Sequence, residues 1–131
     1  MGKPAAKQGD QIIATDTHII MIPSPGGPVP TPTPLPFTGQ LIGNLSPNVR
    51  IEGRAAATVG STAQNQPPHI PTGGPFQIPP TNQGTIIAGS GTVMINGKPA
   101  ARMGDKTQTC ADPVPNMSGS VVAQSTVLIG G

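Results

Sequence analysis

The chain has 131 residues, with 18 glycines, 18 prolines, two phenylalanines and neither tryptophan nor tyrosine. Hydrophobic residues make up only 34%, which excludes a large conventional core, because aromatic side chains normally supply much of the buried area. Seven basic and five acidic residues leave a net charge of +2, and Lys3, Lys7, Arg50, Arg54, Lys98, Arg102 and Lys106 are too scattered, with no interleaved aromatics, to make a nucleic-acid face.

At the amino end no apolar h-region is present, so no secretory signal is visible. Gly2-Lys3-Pro4-Ala5-Ala6-Lys7-Gln8-Gly9-Asp10 opens the chain and returns as Gly97-Lys98-Pro99-Ala100-Ala101-Arg102-Met103-Gly104-Asp105. The longest apolar run, Ile19 to Ile22, is stopped by Pro23 and is far too short for a membrane span. Prolines then dominate from Pro23 to Pro36. Proline fixes φ and lacks an N–H, so this stretch reads as an extended surface connector and not as a central strand. A docking segment of the PxxP kind is the other reading of it.

Gln40-Leu41-Ile42-Gly43 is a weak strand signal, and Val49-Arg50-Ile51-Glu52-Gly53 a stronger one. A looser copy of the opening pattern follows, Gly53-Arg54-Ala55-Ala56-Ala57-Thr58-Val59-Gly60-Ser61, and then a second proline-rich stretch from Pro67 to Pro80. Thr85-Ile86-Ile87-Ala88-Gly89-Ser90 aligns with Ser120-Val121-Val122-Ala123-Gln124-Ser125. Each leads into Val-x-Ile-x-Gly, at Val93 to Gly97 and at Val127 to Gly131. Two such short strands with a polar Gly/Ser connection read as a β-hairpin, Gln40 to Gly43 being the weaker counterpart before Val49. Pro113-Val114-Pro115 marks the third proline stretch. Gly131 takes the register of Gly2, so the carboxyl end supplies the strand that the amino end lacks. Internal repetition dictates architecture. The expected fold is all-β: three pseudo-threefold β-hairpin repeats around one axis, closed by the chain's own termini, with proline-rich loops at one end. Val49/Ile51, Val93/Ile95 and Val127/Ile129 are expected to build the broad end. Residues 1–131 are expected to form a single domain with no fused effector.

His18 and His69 each lie eight residues after the Asp10 or Ser61 that closes a repeat motif, and Cys110 lies five after Asp105. A lone histidine or cysteine is usually structural. All the imidazoles and the only thiol of a chain falling in corresponding repeat positions is different, and points to a metal site near the axis. Imidazole and thiolate suit Zn²⁺, with Fe²⁺ the lesser option. Asp16, Asp112, Gln108 or a water could complete the coordination. The single Cys110 excludes an internal disulfide.

With Pro4-Ala5-Ala6-Lys7, Pro99-Ala100-Ala101-Arg102, the flanking Gly-Asp pairs and the His/Cys set, the chain resembles the PAAR-repeat proteins over essentially its whole length. The resemblance implies a small cone that caps the trimeric spike of a contractile injection system, of the type VI secretion or phage tail-like kind, with a metal near its apex usually held by three His and one Cys. By position His18, His69 and Cys110 match those ligands. Two departures stand out: Gln108 occupies the place of a histidine often found two before the cysteine, and the middle repeat has Ala55 and Ser61 in place of proline and aspartate. The implied partner is a homotrimeric spike protein of the valine-glycine-repeat type, with effector cargo and a transient membrane contact as further partners. Synthesis would be cytoplasmic, with delivery in the particle and no signal peptide. A non-enzymatic tip is the first functional reading. A small metal-dependent hydrolase with an open zinc site is the second, and a cargo adaptor working through the first proline stretch is a third.

Overall fold

A computed structural model describes residues 2–130. The expected register of Gly131 therefore lies outside the described residues. The first third holds β1 (Lys3–Pro4), β2 (Gln11–Ile22) and β3 (Val29–Gly43). The second holds β4 (Arg50–Ile51), β5 (Arg54–Ala55), β6 (Thr62–Asn65) and β7 (Gln83–Ile86). The last holds β8 (Met94–Ile95), β9 (Lys98–Pro99), β10 (Lys106–Thr109), β11 (Asn116–Val122) and β12 (Leu128–Ile129). There is no helix among the described residues.

Three antiparallel hairpins, β2–β3, β6–β7 and β10–β11, close into one barrel in the order β10-β11-β2-β3-β6-β7. The expected pairing of each apolar strand with the Val-x-Ile-x-Gly strand after it does not form. Instead β7 and β11 pair with the strands before them and with neighbouring hairpins, and β8 and β12 pair with the Lys-Pro strands β9 and β1. Three miniature pairs stand at one end: β4–β5, β8–β9, and β12–β1. In the first two the strands are joined by Glu52-Gly53 and Asn96-Gly97, both residues of each turn having positive φ (51° and 81°, 53° and 79°). That is the type I′ geometry matched to strand twist, which asparagine and glycine adopt readily. In the third pair no turn is needed, because the strands come from opposite ends of the chain: Lys3 faces Ile129 and Pro4 faces Leu128. These are the registers of Lys98 with Ile95 and of Arg54 with Ile51.

The Ala-Ala segments run across the axis. The N–H of Ala6 donates to the carbonyl of Ala101 (3.0 Å), that of Ala101 to Ala57 (3.1 Å), and that of Ala57 back to Ala6 (3.0 Å). This closed ring brings three backbones to one point, and Ala5, Ala6, Ala56, Ala57, Ala100 and Ala101 are all wholly buried. Each motif then ends in a tight turn. The amides of Lys7, Thr58 and Arg102 donate to the side chains of Asp10, Ser61 and Asp105 three residues on, at 3.0, 2.9 and 2.7 Å. Gly9, Gly60 and Gly104 supply the positive φ these turns require. Lys7–Asp10 and Arg102–Asp105 add ion pairs at 3.2 and 2.9 Å. The middle repeat makes the same turn with neutral Thr58 and Ser61, so its sequence departure changes charge and leaves the geometry intact.

Two apolar clusters lie along the axis. Ile51, Ile95 and Ile129 pack with Ala5, Ala56 and Ala100, with Val49 and Val93 against them, at the end of the miniature pairs. The barrel proper is filled by Ile12, Leu41, Ile86, Val121 and Phe37 above Ala6, Ala57 and Ala101. Gly39, Gly84 and Gly119 hold matching buried positions, two before Leu41, Ile86 and Val121. A Cβ at Gly39 would stand 2.7 Å from the Phe37 ring, and one at Gly84 3.2 Å from it. One large ring thus uses space released by side chains missing from two repeats.

The first proline stretch departs from the connector expected of it. Only its first part turns, and Val29 onward is strand, paired with β2 through Met21–Pro30, Ile19–Pro32, Thr17–Pro34 and Thr15–Pro36. Prolines at every second position share one edge of the strand, so the missing donors all fall on the side away from β2. Strand β6 joins β3 only from Gly39 onward, leaving the proline edge unpaired. Along the other edge of the same hairpin the amide of Met21 donates to Pro75 and that of Gln77 to Ile19, both at 2.8 Å. The proline edge cannot template another strand, which is a recognised way of blunting edges. A cargo segment acting as a free loop is thereby narrowed to the turn around Pro23 to Pro28.

Two substitutions test this packing in opposite directions. Ala101→Leu forces extra carbons into the meeting point of three backbones and should lower stability by about 1–3 kcal/mol or more. The Thr107 hydroxyl is buried without a partner. Thr107→Val removes it at nearly constant shape and should raise stability by about 1 kcal/mol. Thermal melts decide both: an unchanged Tm for Ala101→Leu contradicts the crowded axis, and a lower Tm for Thr107→Val contradicts the orphaned hydroxyl.

Candidate metal centre

Beyond the apolar barrel its inward positions become polar. Alternation along β2 buries Ile12, Asp16, His18 and Ile20, so Asp16 and His18 sit one above the other on the inner face. His69 arrives differently. Strand β6 ends at Asn65, and Asn82 holds the returning chain: its Oδ1 accepts the His69 N–H (2.8 Å) and an N–H of the Asn65 amide (3.3 Å). The Asn65 Oδ1 accepts the Thr38 N–H (2.9 Å), fixing that amide. Cys110 directly follows β10, whose Thr107 and Thr109 point inward. Three residues at corresponding places in the repeats thus reach one spot from a strand interior, a loop and a strand end.

The donor atoms of Asp16, His18, His69 and Cys110 all lie within 4.8 Å of one another. Cys110 Sγ is 3.7 Å from His18 Nε2 and 3.5 Å from Asp16 Oδ2, and His69 Nε2 is 3.2 Å from the same Oδ2. Tetrahedral zinc bond lengths imply donor separations of about 3.3–3.8 Å, so the two sulfur edges fall inside that range and the imidazole–carboxylate edge just below it. The charges suit it too. An Asp16 carboxylate and a Cys110 thiolate with two neutral imidazoles balance one divalent cation, and a neutral total is what a buried site requires. Asp16, His18 and His69 are buried and Cys110 is half-buried.

Without an ion the cluster is a hydrogen-bonded network centred on Asp16. Its carboxylate also accepts from the Thr109 hydroxyl. Burial pushes the Cys110 thiol up, and the adjoining Asp16 carboxylate pushes it further, against the lowering pull of the Asn82 and Gln83 backbone amides. A cation among these groups reverses the sense of that field and favours the thiolate. Behind the site, Asp112 Oδ2 stands 3.0 Å from His18 Nδ1. This carboxylate–imidazole pair orients the ring and directs Nε2 at the cluster.

All three residues singled out from the repeats therefore meet. Of the candidates for a fourth position, Asp16 joins them. Asp112 instead backs His18, and Gln108 alternates with Thr107 and Thr109 onto the other face of β10. The supporting residues Asn65, Asn82 and Thr109 carried no signal in the sequence beyond being polar near the prolines. A cleft of about 330 Å³, lined in part by His18, Cys110, Asp112 and Pro79, opens beside the cluster.

Asp112→Asn should weaken Zn²⁺ binding by about 10–100-fold while the fold persists, as loss of an outer carboxylate does. Affinity should also fall as pH is lowered, because thiol and imidazoles must all be deprotonated to bind. Calorimetric titration with Zn²⁺ at several pH values measures both; pH-independent affinity would contradict a thiolate-bearing site.

The comparisons with known proteins agree with this geometry. No curated protein matches the chain. The family model described as PAAR motif matches it twice, over residues 21–107 and over 76–131. The two overlapping matches follow from the repetition itself, and together they cover well over half of the sequence. With its alanines tied in a ring at the axis and its ends paired as a third miniature hairpin, the chain belongs to the PAAR motif family.

Proposed function

We propose that this protein is the non-enzymatic tip of a contractile injection system, seated by its miniature-hairpin end on a homotrimeric spike of the valine-glycine-repeat type. The PAAR family is a family of spike-tip proteins of such systems, type VI secretion among them. One observation carries the reading: the closed ring of Ala6, Ala57 and Ala101 gives a single polypeptide a threefold face. A trimer presents three equal strand ends, and a monomer can cover all three only by repeating itself.

In this reading His18, His69, Cys110 and Asp16 hold Zn²⁺, with Fe²⁺ as the alternative. The ion ties the three repeats together where their inner face is polar, and metal binding supplies folding free energy directly. The ligand-bearing end suits passage through a membrane. No charged residue occurs from 17 to 49 or from 55 to 97. Ile70, Ile78, Val114 and Met117 are exposed in that half of the molecule. Four side-chain donors would leave no coordination position for a substrate, which favours a structural site over the hydrolase alternative. Asp112, the carboxylate in the adjoining cleft, is already engaged with His18. The tip is made in the cytoplasm and leaves with the particle, cargo attachment being a further use of its turns.

Chelation should lower the melting temperature, Zn²⁺ should restore it, and Cys110→Ser should melt low in either state. Capture by the trimeric spike should persist below the transition, since the docking end lies away from the ion. Equal melting temperatures with and without metal would end the structural-ion reading. Failure of the intact protein to bind any trimeric spike would end the capping one.

A further inference from the structure

The charges of this molecule are segregated by end. Five cations, Lys3, Arg50, Arg54, Lys98 and Lys106, are exposed, and none forms an ion pair among the described residues. Glu52 is the one exposed carboxylate among them. Asp10 and Asp105 neutralise Lys7 and Arg102, and Asp16 and Asp112 belong to the ligand cluster.

Three of the free cations share one structural position. Lys3 faces Ile129, Arg54 faces Ile51 and Lys98 faces Ile95, each directly across a miniature hairpin from an isoleucine of the end cluster. The pseudo-threefold therefore sets them as a ring at one height around the axis, at the end away from the histidines. Beside them Met94 and Leu128 are 57% and 61% exposed. The matching position in the middle repeat is Arg50, and the isoleucines themselves are buried, so this end is a mixed apolar and basic surface. Among the described residues Lys3 and Lys98 make no side-chain hydrogen bond or ion pair, and Arg54 makes only a long hydrogen bond of 3.5 Å to the Gln8 carbonyl, so the fold accounts for little of this register of exposed cations. Even the middle repeat, which lost the proline and the aspartate of its motif, retains a cation at Arg54.

We propose that Lys3, Arg54 and Lys98 form a threefold ring of cations that engages one acidic side chain from each subunit of a threefold-symmetric partner. This rests on the reading above, in which that partner is the trimeric spike. The ring sets orientation and on-rate through complementary charge, while exposed Met94 and Leu128 add apolar contact.

The experiment measures binding of the full chain to the trimeric spike protein of its own system, by surface plasmon resonance at low and high salt. Three proteins are compared: wild type, the Lys3→Glu/Arg54→Glu/Lys98→Glu variant, and Lys106→Glu, which reverses an exposed cation outside the ring. Wild-type affinity should fall with salt, because exposed charge pairs are screened. The triple variant should bind at least about tenfold more weakly at low salt, mainly through slower association, with an unchanged melting temperature. Lys106→Glu should stay near wild type. Salt-insensitive wild-type binding, or a triple variant that binds as wild type does, overturns the ring and leaves the capping function standing. A loss for Lys106→Glu as large per charge as for the triple variant also overturns it, since net charge would then suffice. A wild type that does not bind the trimer overturns the capping function and the ring together.

Discussion

Three backbones meeting at one axis is the constraint from which the rest of this molecule follows. The N–H···O ring through Ala6, Ala57 and Ala101 brings main chains so close that only a methyl group fits beside each of them. The Ala-Ala of the motif is therefore a spacing requirement and not a helix signal. Buried amides and carbonyls must be paired, and here each repeat satisfies the next, so no single repeat can be complete alone. The Gly-Asp that follows has an equally local cause. It closes the turn that sends the chain from the axis out to the barrel wall, and Ser61 shows that an uncharged hydroxyl can do this as well as a carboxylate.

The same constraint explains why the two ends differ in chemistry. Small side chains at the axis and glycines at three matching strand positions keep the barrel thin. An apolar filling of Ile12, Leu41, Ile86, Val121 and Phe37 suffices for its middle. Farther along, polar groups converge on the inner face, with Ile20 buried beyond them. Asp16 is tolerated in full burial because Thr109, His69 and Cys110 all turn hydrogen-bonding groups to it.

Much of this was legible in the sequence. The threefold repetition, the pairing of the two ends and the meeting of His18, His69 and Cys110 follow from register, because a symmetric arrangement converts equal sequence position into spatial proximity; which strands form each hairpin does not. Two things were not legible. The sequence left Asp16 and Asp112 equivalent, each two residues from a ligand candidate. Only strand alternation, which puts Asp16 on the inner face of β2 with His18, separates them. The proline run misled for a related reason. Proline forbids a ladder bond on one side only, and the alternate placement of Pro30, Pro32, Pro34 and Pro36 keeps the other side free to pair. A composition rule sees the prolines and misses their phase.

The pairing of β1 with β12 means that covalent connectivity is not part of the threefold pattern. At two corners of the base a peptide turn joins the strands, and at the third only hydrogen bonds and the shared isoleucine cluster do. The molecule is topologically a circle cut once. Permutants opened at Glu52-Gly53 or Asn96-Gly97, with a linker joining β12 to β1, would trace the same body. A passenger polypeptide spliced to either terminus would emerge beside the basic ring, at the foot of the structure, leaving the point unencumbered.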